Sequence, residues 1–323
     1  MTGQDYSIYD LEHLTQFAFD ALAHVEQKGA GSDALTYALQ VFKGVCYTAD
    51  AIVRLHPKGT FYAQGGREVW NPTSPQILAR VLLEACANFY YFAVSPKNED
   101  EREFRFILAN LHCAREREDS ARSVEKGRPA PPPIPEDWSG LSTEEQHALL
   151  PRLKRENLPS ELKFWEDQLR KNQFLPCAER RKWLEGTGLY SKKNGEYIGH
   201  RNYINAAFAG KTAHCRAKSA GIPDSVFWKL QRQFSAHAHM TPHAVDQIRG
   251  FRHVDSIGRR SLVDFPVMVS TAVLALAVDN FVKLFPECKQ NLNFELELLL
   301  DYYPQVLSRS ADEARREESA ING

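Results

Sequence analysis

A chain of 323 residues with 43% hydrophobic and 25% charged side chains has ordinary globular composition and enough material for a large buried core. Lys and Arg total 40 against 41 for Asp and Glu, a formal net charge of -1. That balance excludes a polyanion-binding field spread over the whole chain, but not a local basic patch. Cysteines 46, 86, 113, 177, 215 and 288 are scattered without a C-x-x-C pattern, which suits a reducing cytoplasm rather than a disulfide framework. The N-terminus, MTGQDYSIYDLEH, carries acids where a signal peptide needs a basic stretch and an apolar run. The longest apolar run, VMVSTAVLALAV from Val267, lies between Asp264 and Asp279 and is shorter than a bilayer span. The expectation is a cytoplasmic protein without a membrane partner.

In chain order, the apolar positions repeat at helical spacing and no segment alternates as a strand does. Leu11, Leu14, Ala18, Ala21, Leu22 and Val25 form one stripe; Leu35, Leu39, Phe42, Cys46, Ala49 and Val53 form the next after Gly31-Ser32. Residues 57–73 hold clustered Pro and Gly and read as a loop. Ser74-Pro75 then opens a helix, Ser as cap and Pro in the first turn, carrying Ile77, Leu78, Val81, Leu82, Ala85, Phe89 and Phe92. A further helix runs through Phe104, Ile107, Leu108 and Leu111 into the charged run REREDSARSVEKGR.

The segment RPAPPPIP over 128–135 is too proline-dense for helix or sheet and predicts an extended connector. Ser142-Thr-Glu-Glu145 has the form of a capping box. Amphipathic segments over 160–173 and 177–185 are anchored by Trp165 and Trp183. Helices over 200–218, 224–240 and 261–286, with a shorter one over 290–302, complete the core. The tail SRSADEARREESAING lacks apolar periodicity and reads as frayed. The fold class is therefore all-α, a multi-helix bundle. Its expected parts are an N-terminal block over 1–127, a connector over 128–141, a C-terminal block over 142–303 and a polar tail over 304–323.

Two motifs fail on chemistry. Ala209-Gly-Lys211-Thr212 resembles a phosphate loop, but Asn205 stands where the second glycine belongs and no strand precedes it. Glu144-x-x-His147 has the i, i+3 spacing of di-iron bundles without a second copy, and Pro242 separates His239 from His243. A metal site is the minority reading, and no cofactor is expected.

The stretch Pro223 to Pro242, PDSVFWKLQRQFSAHAHMTP, is the most informative. At about 100° per residue, Val226, Phe227, Leu230, Phe234 and His237 share one side; Trp228, Arg232, Ser235 and His239 share the other. His237 in the apolar stripe reads as a core histidine. Arg232 and His239, two turns apart, set a fixed positive charge and a titratable imidazole on one face, with Ser235 between them. On the helix after Pro75, Arg80, Glu84 and Asn88 follow at i, i+4 and i+8 with Tyr91 alongside. Glu84 can hold the Arg80 fork in a set direction. Each pattern is also what an idle polar stripe looks like.

Arg80-x-x-x-Glu84 on an early helix with Ser235-x-x-x-His239 on a later one resembles a bacterial all-helical family catalogued as a domain of unknown function. The resemblance spans roughly residues 75–285, the proline-rich insert being a departure. Arg232-x6-His239 also resembles the Arg-x4–6-His signature of the HEPN superfamily, and Arg232-x4-His237 fits it as well. Many HEPN domains are metal-independent ribonucleases of toxin, antiphage and RNA-processing systems, with the motif at a dimer cleft. The resemblance implies that Arg232 stabilises charge on the scissile phosphate and that His239 is general base or acid for attack by the RNA 2′-hydroxyl. Gln233 departs from the Asn, Asp or His that active members often carry after the arginine.

Three readings follow. The first is a ribonuclease or RNA-binding protein of defence or toxin type, a homodimer if the HEPN pattern holds, with candidate residues Arg232, His239, Ser235, Arg80 and Glu84. Basic groups at Lys211, Arg216 and Lys218, and at Arg249, Arg252, Arg259 and Arg260, could serve its phosphate contacts. The second is a helical interaction module docking a protein partner through the charged run, the connector and the tail. The third is a metal-dependent bundle enzyme.

Overall fold

The computed structural model describes residues 8–29, 31–56, 73–125, 142–144, 157–174, 192–193, 196–197, 208, 211–238 and 256–322. These are overwhelmingly helical, so the fold class is all-α; a two-residue antiparallel ladder pairs Lys192–Lys193 with Glu196–Tyr197. The helices are α1 (Ile8–Lys28), α2 (Asp33–Leu55), α3 (Ser74–Phe89), α4 (Glu99–Glu125), α5 (Leu158–Lys171), α6 (Ala213–Ser219), α7 (Asp224–Ala238), α8 (Ser256–Leu284) and α9 (Phe294–Asn322). A π-helical turn, Tyr90–Val94, continues α3, and a 3-10 segment, Pro286–Asn291, joins α8 to α9.

Two compact units are formed, and they are not consecutive in sequence. Residues 1–96 and 213–323 make one unit, and residues 97–212 the other. The expected break at 128–141 lies outside the described residues. The units divide instead at Pro96/Lys97 and Thr212/Ala213, because the apolar faces of α1–α3 are covered by helices from the far end of the chain.

In the first unit, α2 packs on both α1 and α3, all three pack on α8, and α9 closes over α1 and α8. The apolar stripes read from the sequence are the buried faces: Leu11, Leu14, Ala18, Ala21, Leu22 and Val25 on α1, and Leu39, Phe42, Cys46 and Ala49 on α2. Gly29 and Gly31 take positive φ in the α1–α2 turn, the backbone region that favours glycine. Ser32 Oγ then accepts the Leu35 N–H at 3.3 Å, capping α2. At the centre, Phe42 of α2 stacks on Phe281 of α8 with ring centroids 4.2 Å apart, and Phe89 of α3 lies 4.8 Å from Phe42. Each such ring contributes about 1.5–3 kcal/mol by burial, and truncation to alanine costs about 3–5 kcal/mol. This triad therefore ties three helices to one another.

The α3 helix starts as expected in sequence but caps one residue earlier, on Thr73, with Pro75 in the first turn. Its extension is π-helical: Ser95 N–H reaches the Tyr90 carbonyl, five residues back, at 2.9 Å. Such turns admit one extra residue and are concentrated at functional sites.

Two sequence expectations are corrected here. The apolar run from Val267 is the middle of a longer stretch: by length and composition, Asp264–Leu284 and Ser74–Val94 are each apolar enough to cross a membrane. Most of the first and half of the second are buried inside the protein, as core helices are. The tail from 304 is not frayed but helical to Asn322. Its Ala, Glu and Arg are strong helix formers, which outweighs the missing apolar stripe.

In the second unit, α4 and α5 pair through Phe104, Ile107, Leu108, Leu111 and Leu169, with Leu162 and Phe174 at the margin. Trp165 is an anchor as expected, edge-on to Phe106 at 5.4 Å. Arg115 bonds Glu166 at 3.4 Å across the pair. Trp183 lies outside the described residues.

Candidate functional site

Helices α3, α6 and α7 of the first unit pack on one another, and together they carry most of its polar groups of interest. The stripe on α3 is continuous. Arg80 Nε donates to Glu84 Oε1 at 3.3 Å, and both side chains are partly exposed. An exposed ion pair of this kind is worth under about 1 kcal/mol, so its use is orientation rather than stability. One turn on, Asn88 Oδ1 accepts the Nε–H of Arg216 on α6 at 2.9 Å. One further turn on, within the π segment, Tyr91 is buried.

Arg216 is the unusual member, at 3% exposure. Burial of its guanidinium lowers its pKa to about 10, against the opposing pull of Tyr91, Glu84 and Cys215. It remains charged at neutral pH. The fold thus keeps a desolvated cation on a neutral amide, within electrostatic reach of a carboxylate that is itself shared with Arg80. Among the described residues, Arg80 and Arg216 both act on Glu84.

The α6–α7 hairpin turns at Gly221, whose φ of 91° only glycine adopts readily and where a Cβ would meet the Leu276 methyls at 3.7 Å. The turn brings His214 and Asp224 together, Nε2 to Oδ1 at 3.0 Å. Lys218 donates to Asp224 Oδ2, also at 3.0 Å. The Lys218 ammonium, with His214 beside it, holds the Asp224 carboxyl below the usual range.

On α7 the two-sided reading is reproduced. Val226, Phe227, Leu230, Phe234 and His237 are buried, Trp228 and Arg232 are exposed, and Ser235 is half-buried. His237, at the end of the apolar stripe, is a core residue. Phe234 packs on Phe265 of α8, next to Asp264, which lies 3.2 Å from the buried His56 ring at the end of α2.

The structure therefore brings Arg80 and Glu84 into contact and seats Arg232 and Ser235 on a helix packed against theirs. His239 lies outside the described residues, as do His147, His243, Arg249 and Arg252. Of the basic groups, Arg216 is buried and Lys218 is paired. Among the described residues, no three His, Cys, Asp or Glu are grouped closely enough to hold a metal ion. Sequence reasoning did not find the Arg216–Asn88 bond or the His214–Asp224 contact. The Gly221-Ile-Pro turn was a signal for the second, since a tight turn between helices pairs the residues flanking it. Nothing local signalled the first. No protein-family model, curated protein or solved structure matches the chain.

Proposed function

We propose that the protein acts on RNA as a metal-independent, HEPN-like ribonuclease in the cytoplasm, with the α3/α6/α7 cluster receiving a backbone phosphate. The observation that carries this reading is the buried Arg216 held on Asn88 beside the Arg80–Glu84 pair. Two guanidinium groups, Arg216 and Arg80, lie along one polar stripe, and such a concentration of positive charge favours an anion there. The free thiols of the five described cysteines accord with a reducing compartment.

In this mechanism Arg80 and Arg216 supply the positive potential that draws in the phosphate, and Arg232 stabilises charge on its equatorial oxygens. His239 takes the proton from the 2′-hydroxyl, whose oxygen attacks phosphorus. The P–O5′ bond breaks, a 2′,3′-cyclic phosphate forms, and the 5′ oxygen takes up a proton. Ser235, four residues before His239 in sequence, orients either group. Glu84 sets the direction of Arg80.

The test is cleavage of structured and single-stranded RNA by the wild type, Arg232→Gln and His239→Ala, each with and without EDTA, after circular dichroism shows all three folded. Cleavage that survives EDTA and is lost in both variants supports the reading. Wild-type cleavage that EDTA abolishes, or no cleavage of any RNA, refutes it.

A further inference from the structure

Trp228 is 55% exposed on a helix whose other aromatic residues are buried. Its indole does not stand alone. The His214 ring lies against it, centroids 5.0 Å apart at 39°, and Phe227 meets it edge-on at 5.7 Å. The His214 ring in turn lies 3.0 Å from the Asp224 carboxylate of α7, so the aromatic pair joins both helices of the hairpin. Arg232 follows one turn along the same face, about 6 Å of rise away. It is exposed and makes no hydrogen bond or ion pair among the described residues.

An exposed indole costs water-structured surface unless something covers it, and the surroundings name the chemistry of the cover. A polar rim alone suits a protein or membrane surface too, so the sign of its charge decides. Among the described residues the rim is His214, Lys218, Asp224 and Arg232, polar and positive on balance. Flat aromatic faces flanked by cations are what single-stranded nucleic acids use, their bases stacking on the ring and their phosphates meeting the arginine.

We infer that Trp228, backed by His214, is a stacking platform for one unpaired base of single-stranded RNA, with Arg232 on the adjoining phosphate. The inference rests on the RNA reading above and supplies its substrate class: unpaired strands rather than duplex. A duplex keeps its base faces inside the stack, where Trp228 cannot reach them.

The experiment uses the full chain and a 5′-labelled 2′-O-methyl RNA of about 12 nucleotides, which lacks the attacking hydroxyl and cannot be cleaved. A probe of the same length with abasic sugars is run beside it. Binding is read by fluorescence anisotropy for the wild type, Trp228→Ala and Trp228→Phe. Trp228 is at the surface, so both variants fold. Wild type should bind the base-bearing strand about ten-fold more tightly than the abasic one; Trp228→Ala should lose that preference and Trp228→Phe keep most of it. Equal binding by wild type and Trp228→Ala overturns the platform, as does equal binding of the two probes or no binding to either. Cleavage of unmodified RNA, read separately, distinguishes the two proposals. Cleavage with Trp228-independent binding sinks the platform alone, and Trp228-dependent binding without cleavage sinks the ribonuclease alone.

Discussion

Arg216 Nε donates to Asn88 Oδ1 at 2.9 Å, joining two helices whose residues stand 128 apart in the chain. The bond helps the first unit hold a nearly fully buried guanidinium. It also fixes α6 against the polar stripe of α3, where the α3/α6/α7 cluster converges.

The two partners should respond differently to removal. Asn88→Ala removes an acceptor from a buried charged donor and should cost about 1.5–3 kcal/mol. Arg216→Met removes the charge itself; burial lowers its pKa from the ordinary value to about 10, so at lower pH the group is charged in both states and its desolvation opposes folding. That variant should be no less stable than the wild type at pH 7. Urea denaturation followed by circular dichroism measures both. A large loss in Arg216→Met would show the arginine to be a structural tie and not a cost retained for binding.

His112 on α4 predicts an acid sensitivity. The ring is 1% exposed, and neither nitrogen has a hydrogen-bond partner among the described residues. Burial first, and Arg115 second, lower its pKa to about 3 from 6.5. The unfolded chain therefore binds a proton that the folded one refuses between those values. The contribution is fully present above pH 6.5 and is lost as pH falls, by about 2–3 kcal/mol at pH 4.5. His112→Leu should be more stable than the wild type by about 1–3 kcal/mol at pH 7, and the gap should widen at pH 4.5. Urea midpoints at the two pH values give the difference, and a gap that does not widen would contradict the assignment.

Thiol chemistry should separate along the same lines of burial. Burial pushes the Cys46 and Cys86 thiols up to about 12, so neither offers a thiolate near neutrality. Cys113 and Cys215 are exposed. Iodoacetamide at pH 8 under native conditions should alkylate Cys113 and Cys215 at least about ten times faster than Cys46 and Cys86. Mass mapping of the digested protein reads this directly, and labelling of all four at one rate would mean the first unit opens on the timescale of the reagent.

What the sequence makes readable is local. The 3.6-residue period on α1, α2 and α7 placed their buried faces, down to His237 inside and Trp228 outside, but on α3 it missed: Val81 is exposed, Ile77, Leu78 and Ala85 are half-buried, and Ala79, Leu83, Cys86 and Ala87 are buried with Leu82 and Phe89. The Arg80–Glu84 contact is a one-turn spacing and was equally readable. What periodicity does not carry is which stripe meets which. Arg216 sits in a cluster of Lys211, Arg216 and Lys218 that looks like a solvated basic surface; its burial depends on α3, far away in sequence. The discontinuous first unit was hidden for the same reason, since a proline-dense segment marks a break in regular structure but not the partners of the helices on either side. The helical tail shows the opposite error, in which intrinsic propensity sufficed without a stripe to bury.

The division of the first unit between the two ends of the chain has a consequence for how it is made. The apolar faces of α1, α2 and α3 leave the ribosome with α8, the helix that covers them, still to be synthesised. At roughly 5–20 residues per second, the passage from residue 97 to 284 takes roughly 10–40 s. Residues 97–212 are finished within that interval and can close on themselves. The three N-terminal helices meanwhile hold Phe42 and Phe89 without Phe281, a partly formed bundle whose exposed aromatic surface is a natural client for a chaperone.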